Sequence, residues 1–208
     1  CPLHFNAEFN GIVCASAELR RQLPNRDEQL GRFVQASLDK ALAQARANID
    51  AWTREIEGEG LDAILITISG CGTTVKDYGF MLRTDAAYAA KAAKVSALAR
   101  DVSEYLATLD LRASEPSNLV VAYHSACSLQ HGQRIHSEPK QLLSRLGFVV
   151  KEVPEGHLCC GSAGTYNILQ PEIAGALRER KTKNIKRMKP DVVATGNIGC
   201  ITQLAGSV

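Results

Sequence analysis

Two stretches of the chain follow one order of residues. Asp62-Ala-Ile-Leu-Ile-Thr-Ile-Ser-Gly-Cys71 and Asp191-Val-Val-Ala-Thr-Gly-Asn-Ile-Gly-Cys200 each run from Asp through an apolar stretch to Gly-Cys, with the same spacing from aspartate to cysteine. Each also follows a long helical pattern holding an Asn-Ile pair, Asn48-Ile49 and Asn184-Ile185. An internal duplication is the simplest account. A continuous apolar run of strand length suits a strand covered on both faces by helices. The expected fold is therefore α/β, built from two pseudo-repeated units with mainly parallel sheets flanked by helices.

The rest of the chain fits that frame. Residues 27–57 carry Leu30, Phe33, Val34, Leu38, Leu42, Ala45, Ile49 and Trp52 at helical spacing and run into Gly58-Glu-Gly60, which predicts a long helix. Residues 61–67 read as a strand and Ser69-Gly-Cys-Gly72 as a turn, with helices over 75–82 and 85–109. The polar stretch 112–118, RASEPSN, reads as a linker. Beyond it the pattern restarts with a strand over 119–123, a polar loop, a helix over 139–146 and a strand over 148–153, a βαβ order. A glycine-rich loop over 158–165 leads to a helix over 171–188, a strand over 191–195 and a turn over 196–200.

Composition excludes several functions. With 24 Lys+Arg against 22 Asp+Glu and 5% aromatic residues, the chain has neither the charge to track a polyanion nor many base-stacking platforms, so no nucleic acid is expected. No apolar run reaches the ~20 residues of a membrane span, and no secretory pattern opens the sequence, which points to a cytoplasmic protein. Position 1 is Cys rather than Met, which reads as a fragment or a processed chain. No Gly-x-Gly-x-x-Gly follows a strand and no Gly-Lys-Ser/Thr loop occurs, so neither a dinucleotide nor a nucleoside triphosphate is expected.

The chemistry is expected at the cysteines. There are 7 of them, an odd number in a chain too large to need disulfide staples, which favours metal binding or thiol chemistry. Cys127 follows a predicted strand, Cys159 and Cys160 are adjacent in the glycine-rich loop, and Cys200 ends another strand. In a parallel sheet such strand ends gather at one edge, where ligands bind. Thiolates there suit a soft metal or an iron-sulfur cluster, with Gly161 and Gly164 letting backbone amides approach the sulfurs. The Cys159-Cys160 doublet suits a multi-iron cluster, or two roles at one site. Taken alone, Cys14 and Cys71 read as small apolar core residues. His124 and His131 flank Cys127, so a Cys-His nucleophile pair is a competing reading, as is a nucleophile elbow at Ser69-Gly-Cys-Gly72. His136 and His157 have no assigned partner, and the basic run 178–189 reads as the solvent face of a helix.

Three segments carry a resemblance. Tyr123-His-Ser-Ala-Cys127-Ser-Leu-Gln-His-Gly-Gln133, Pro154-Glu-Gly-His-Leu-Cys159-Cys160-Gly-Ser-Ala-Gly-Thr-Tyr166 and Gly196-Asn-Ile-Gly-Cys200-Ile-Thr-Gln-Leu204 closely resemble the iron-sulfur subunits of bacterial glycolate oxidases. These belong to a family of cysteine-rich domains named for a Cys-Cys-Gly motif, shared with heterodisulfide reductase and lactate-utilisation proteins. The likeness runs from about Ala41 to the end, through Asn48-Ile-Asp-Ala-Trp52 and Ser69-Gly-Cys-Gly72.

The resemblance implies that Cys127, Cys159, Cys160 and Cys200 are the metal-ligating cysteines of a second cysteine-rich repeat (119–208), and Cys71 the last cysteine of a partial first repeat (41–111), after a divergent segment (1–40). Family members usually open with a ferredoxin-like region, which these residues do not include. Where a first Cys-Cys-Gly is expected, residues 32–36 stand instead, and Asn197 occupies the first position of the Cys-x-x-Cys found in heterodisulfide reductase. The implied cofactor is an iron-sulfur cluster, [4Fe-4S] in type. The implied function is an oxidoreductase component, the electron-transfer subunit of glycolate dehydrogenase. It would take electrons from FAD-containing partner subunits that oxidise glycolate to glyoxylate and pass them toward a membrane acceptor, the complex lying peripherally on the membrane. By this reading the 208 residues alone are inactive. The alternatives are a cluster-free folded module and the equivalent subunit for lactate or glycerol 3-phosphate.

Overall fold

A computed structural model describes residues 27–208 except Ser114 and Pro116. Residues 45–208 form one compact unit, whereas the described residues up to Gln44, nearly all the N-terminal part of a long helix, belong to another. That helix, α1 (Glu28–Glu57), starts where Asp27 Oδ1 accepts the amides of Gln29 and Leu30, each at 2.9 Å. Its apolar stripe is buried only over its second half, at Ala45 and Ile49, while Leu30, Phe33, Val34 and Leu38 are exposed.

The next elements are β1 (Ile64–Ile66), α2 (Ser69–Lys76), α3 (Tyr78–Met81), α4 (Ala89–Leu98), β2 (Ala99–Asp101) and α5 (Val102–Ala107). β1 and β2 pair in parallel, Ile64 opposite Ala99. Two expectations change here. The alanine-rich stretch 85–109 is not one helix, because residues 99–101 form a strand with Ala99 and Asp101 buried on either side of exposed Arg100. Asp101 then restarts the helix with a capping box, its carboxylate accepting the Ser103 amide and its own amide donating to Glu104. Likewise Ser69-Gly-Cys-Gly72 is the first turn of α2 and not a free turn.

After residues 108–119, which carry no regular element where described, come β3 (Val120–Tyr123), a π-helical turn (Ser128–Gly132), α6 (Glu138–Arg145) and β4 (Val149–Glu152). Then follow α7 (Tyr166–Leu169), α8 (Pro171–Arg187), β5 (Val192–Ala194) and α9 (Ile198–Ala205). The last helix replaces the expected terminal turn. The three strands form a parallel sheet in the order β4-β3-β5. The strand first in sequence is thus central, with β4 on one side of it and β5 on the other, an arrangement in which ligands bind at the C-terminal strand ends. Beneath that edge lies a core of Ala122, Ala126, Leu129, Ile135, Val153, Ile185 and Leu204, and it includes Cys160 and Cys200. Among the described residues, no helix is long and apolar enough to cross a membrane.

Candidate metal centre

Each strand of the three-stranded sheet delivers a piece of one site. His124 leaves β3 with its amide still bonded to Ala194 O of β5 at 2.8 Å, and three residues later Cys127 opens the π-helical turn. The loop after β4 carries Cys159 and Cys160. Here Gly161 has φ +96°, and a Cβ on it would lie 2.4 Å from Ala174 O, so only glycine fits. Its amide donates to Cys159 Sγ at 3.3 Å. Gly164 also has a positive φ, +66°, but open space around it. After β5, Asn197 caps α9 through Oδ1, which accepts the amides of Gly199 at 2.9 Å and Cys200 at 3.3 Å.

The side chains then meet. Cys160 Sγ and Cys200 Sγ share a hydrogen bond at 3.3 Å, too far apart for a disulfide, whose sulfurs sit ~2.05 Å apart. A ring nitrogen of His124 lies within 4.8 Å of both sulfurs. Cys127 lies close enough to Cys159 and Cys160 to feel the charge of both. His124 is fully buried and neither of its ring nitrogens has a hydrogen-bond partner. Lys181 is 2% exposed, donates to Glu155 O at 2.7 Å, and faces Cys127, Cys159 and Cys160 with its charge.

These contacts set the protonation of the thiols. The hydrogen bond with Cys200 holds Cys160 down at about 4, aided by the His124 imidazole and the Ser162 amide against the cost of burial. That same bond, with burial and the Cys160 charge, pushes Cys200 far up, so the pair shares one proton. Burial, then the charge of Cys159, raises Cys127 to about 11. Burial lowers Lys181, and the surrounding thiolates oppose that shift. A crowd of half-buried and buried sulfurs cannot all ionise without a counter-charge. A thiophilic cation supplies one, and the donor set of four sulfurs beside an unsatisfied imidazole fits a soft metal or an iron-sulfur cluster.

Residues 121–205 match the CCG cysteine-rich domain family. The chain contains a CCG cysteine-rich domain. It is 48% identical to the glycolate oxidase iron-sulfur subunit of Escherichia coli K12, over 81% of this chain and 42% of that protein. It is 30% identical to a probable glycolate oxidase iron-sulfur subunit of Bacillus subtilis, over 77% and 36%. It is also 33% identical to a fumarate reductase (CoM/CoB) subunit of Methanothermobacter marburgensis, over 66% and 26%. The chain thus spans at most 42% of the length of these relatives.

Within the cysteine-rich domain the four cysteines gather, but not as one equal set. His124, Cys160 and Cys200 form the compact group, with Cys127 and Cys159 as a second pair beside it. Cys71, expected in the core, is exposed on α2 and joins no ligating group among the described residues. Instead its neighbour Ser69 docks onto the domain, its Oγ 2.7 Å from Ser128 Oγ and accepting Asn197 Nδ2 at 3.1 Å. Cys14 lies outside the described residues.

Sequence reasoning gives one site residue, His124, a different role and misses another, Lys181. His124 offered a signal, since it directly follows a strand ending at the cysteine edge. Lys181 offered none: it stands in the basic run assigned to solvent, yet it points inward from α8. The Cys-His nucleophile reading finds no support, because His131 is exposed, with its Nε2 3.5 Å from His157 O, and His124 faces Cys160 and Cys200.

Proposed function

We propose that residues 119–208 are a second cysteine-rich repeat holding an iron-sulfur cluster, of [4Fe-4S] type, on Cys127, Cys159, Cys160 and Cys200, and that the chain is an electron-transfer component of a glycolate-oxidising complex. Residues 41–111 are then a partial first repeat, with Cys71 at the place of its last cysteine, after a divergent segment 1–40. FAD-containing partner subunits oxidise glycolate to glyoxylate, and electrons leave toward a membrane acceptor, the complex lying peripherally on the cytoplasmic face. The observation that carries this reading is the convergence of four free thiols at the C-terminal edge of one parallel sheet. The likeness to the Escherichia coli subunit supports the choice of glycolate.

When bound, such a cluster takes up and returns single electrons. The chain's own residues prepare the place. The Gly161 amide donates to Cys159 Sγ, and backbone donors of this kind stabilise negative sulfur. Lys181 sets a buried positive charge against the thiolates. Leu129, Ile135 and Leu204 keep water from the inner wall, while half-buried Cys127 and Cys159 mark the side nearest the surface, where electrons enter and leave.

The test is anaerobic reconstitution of the 208-residue chain with iron and sulfide, followed by iron and sulfide content and visible absorbance. A stoichiometric chromophore that bleaches when glycolate and the flavoprotein subunits are added is the expected result. A chain that stays iron-free is a folded module without electron-transfer function. A cluster bleached through lactate or glycerol 3-phosphate dehydrogenases and not through glycolate would keep the cofactor and replace the substrate.

A further inference from the structure

We infer that His124 is itself a ligand, so that the centre is bound by thiolates and one imidazole. The inference rests on the cluster reading above. Three observations carry it. First, His124 is 0% exposed, yet neither Nδ1 nor Nε2 has a hydrogen-bond partner. A buried polar group without a partner loses its hydration with nothing in return, and such groups call for a specific explanation. Second, the ring is not adrift. Its backbone amide is bonded to Ala194 O at 2.8 Å, which pins His124 between the ends of β3 and β5. Third, its ring nitrogen, Cys160 Sγ and Cys200 Sγ lie within 4.8 Å of one another, and all three residues are buried.

Of the other polar groups near this edge, Thr195 Oγ1 is also without a partner but is a hydroxyl, a poor ligand for a thiophilic metal, while the stronger donors are engaged. Asn197 Oδ1 is taken by the amides of Gly199 and Cys200, and its Nδ2 by Ser69 and Ser128. The Lys181 ammonium donates to Glu155 O and has no lone pair to give while charged. A neutral imidazole has one lone pair and one N–H. Here neither that lone pair nor that N–H has a hydrogen-bond partner. With a metal between the ring and the two sulfurs the same arrangement becomes two thiolates and a nitrogen around one centre, a combination that iron and other thiophilic metals accept. A neutral imidazole where a further thiolate could stand also keeps one negative charge out of the ligand shell, which sets the reduction potential of an iron-sulfur centre higher than with thiolate alone.

The competing arrangement is that His124 only donates a hydrogen bond to the Cys160 sulfur once the cluster is in place. The two differ in what a paramagnetic centre senses. The test uses the 208-residue chain labelled with 15N-histidine, reconstituted with iron and sulfide, reduced, and examined by pulsed electron paramagnetic resonance, alongside His124→Cys and His124→Leu. The expected result is the strong 15N coupling of a directly bonded nitrogen, absent from His124→Cys. That variant should still bind a full complement of iron, at a more negative potential. His124→Leu should bind less iron, and circular dichroism of the apo form separates lost ligation from lost folding. A wild-type cluster with only weak nitrogen coupling, and a potential that His124→Cys leaves unchanged, overturns the ligand role while leaving the cluster reading intact. A wild-type chain that binds no iron overturns both.

Discussion

The units α1-β1-α2 and α8-β5-α9 are built alike and end differently. In each, a long helix buries the isoleucine of its Asn-Ile pair, Ile49 at 0% and Ile185 at 1% exposure. In each, a short parallel strand then turns through an extended residue, Ile68 or Asn197, into a helix whose third residue is the cysteine. Yet Cys71 is exposed and Cys200 buried. The strand-Gly-Cys turn only sets a cysteine at a sheet edge. A binding site also needs a central strand delivering His124 and Cys127, and a neighbouring loop delivering Cys159 and Cys160. β1 has only β2 beside it among the described strands, and β2 leads directly into α5.

The sharpest way to break this comparison is to delete one sulfur from each unit. Cys160→Ser should abolish iron uptake on reconstitution and with it the stabilisation that metal binding adds to the folded chain, whereas Cys71→Ser should bind as much iron as the unaltered protein. Equal losses in both variants would mean that the two units share one centre.

Glycines extend the contrast. Gly161→Ala places a methyl group against the backbone carbonyl of Ala174 at an unfavourable φ, and should cost roughly 3 kcal/mol in urea unfolding. At Gly72 the added Cβ would meet the flexible end of Gln133, 2.6 Å away. Gly72→Ala should therefore cost about 1 kcal/mol, the worth of the bond from Gln133 Nε2 to Ser69 O that must move. If the two costs are equal, the Cys159-Cys160 loop is not a rigid element.

Thiol accessibility gives a third comparison. In the metal-free chain Cys71 should react with iodoacetamide at the rate of an exposed thiol. Cys160 and Cys200 should be slower by a factor on the order of 100, because they must wait for local opening. Peptide mass spectrometry with time would read the order directly, and prompt labelling of Cys200 would contradict its burial.

The smallest expected effect concerns matched ion pairs. Arg46 on α1 holds Asp85 with Nη2–Oδ2 at 2.7 Å, and Arg180 on α8 holds Glu155, its Nε 2.8 Å from Oε2. Both arginines keep their carboxyl below its ordinary value, Glu155 at about 2 with further help from Asn184. A carboxylate with a depressed folded-state pKa stabilises fully above its unfolded value and loses that contribution as pH falls through the folded one. The stability gap between Glu155→Gln and the unaltered chain should thus shrink below pH 4.5 and close near 2. A gap that persists at pH 2 would assign the effect to the Asn184 contacts and not to charge.

Much of the architecture was legible along the chain. Helical spacing over 28–57 and the βαβ order after residue 119 are local patterns, written in which residues are apolar and where glycine interrupts them. The strand β2 was not, because Ala-Arg-Asp has no apolar run, and its pairing depends on β1, 35 positions earlier. The terminal helix α9 was also missed, since its signal is an asparagine cap inside what reads as a glycine turn.

For the centre, the sequence alone determined the thiols: a doublet in a glycine-rich loop and cysteines after strands, whose convergence follows from the parallel sheet itself. The tertiary structure decided which of these are deep, that Cys71 stands apart, that Lys181 turns inward from a basic helix, and that His124 faces Cys160 and Cys200 with its nitrogens unpaired. The reason is physical. Periodicity and backbone freedom act between near neighbours and leave a trace in the string of residues, whereas burial, charge compensation and the partner of an imidazole depend on groups that only the folded chain brings together.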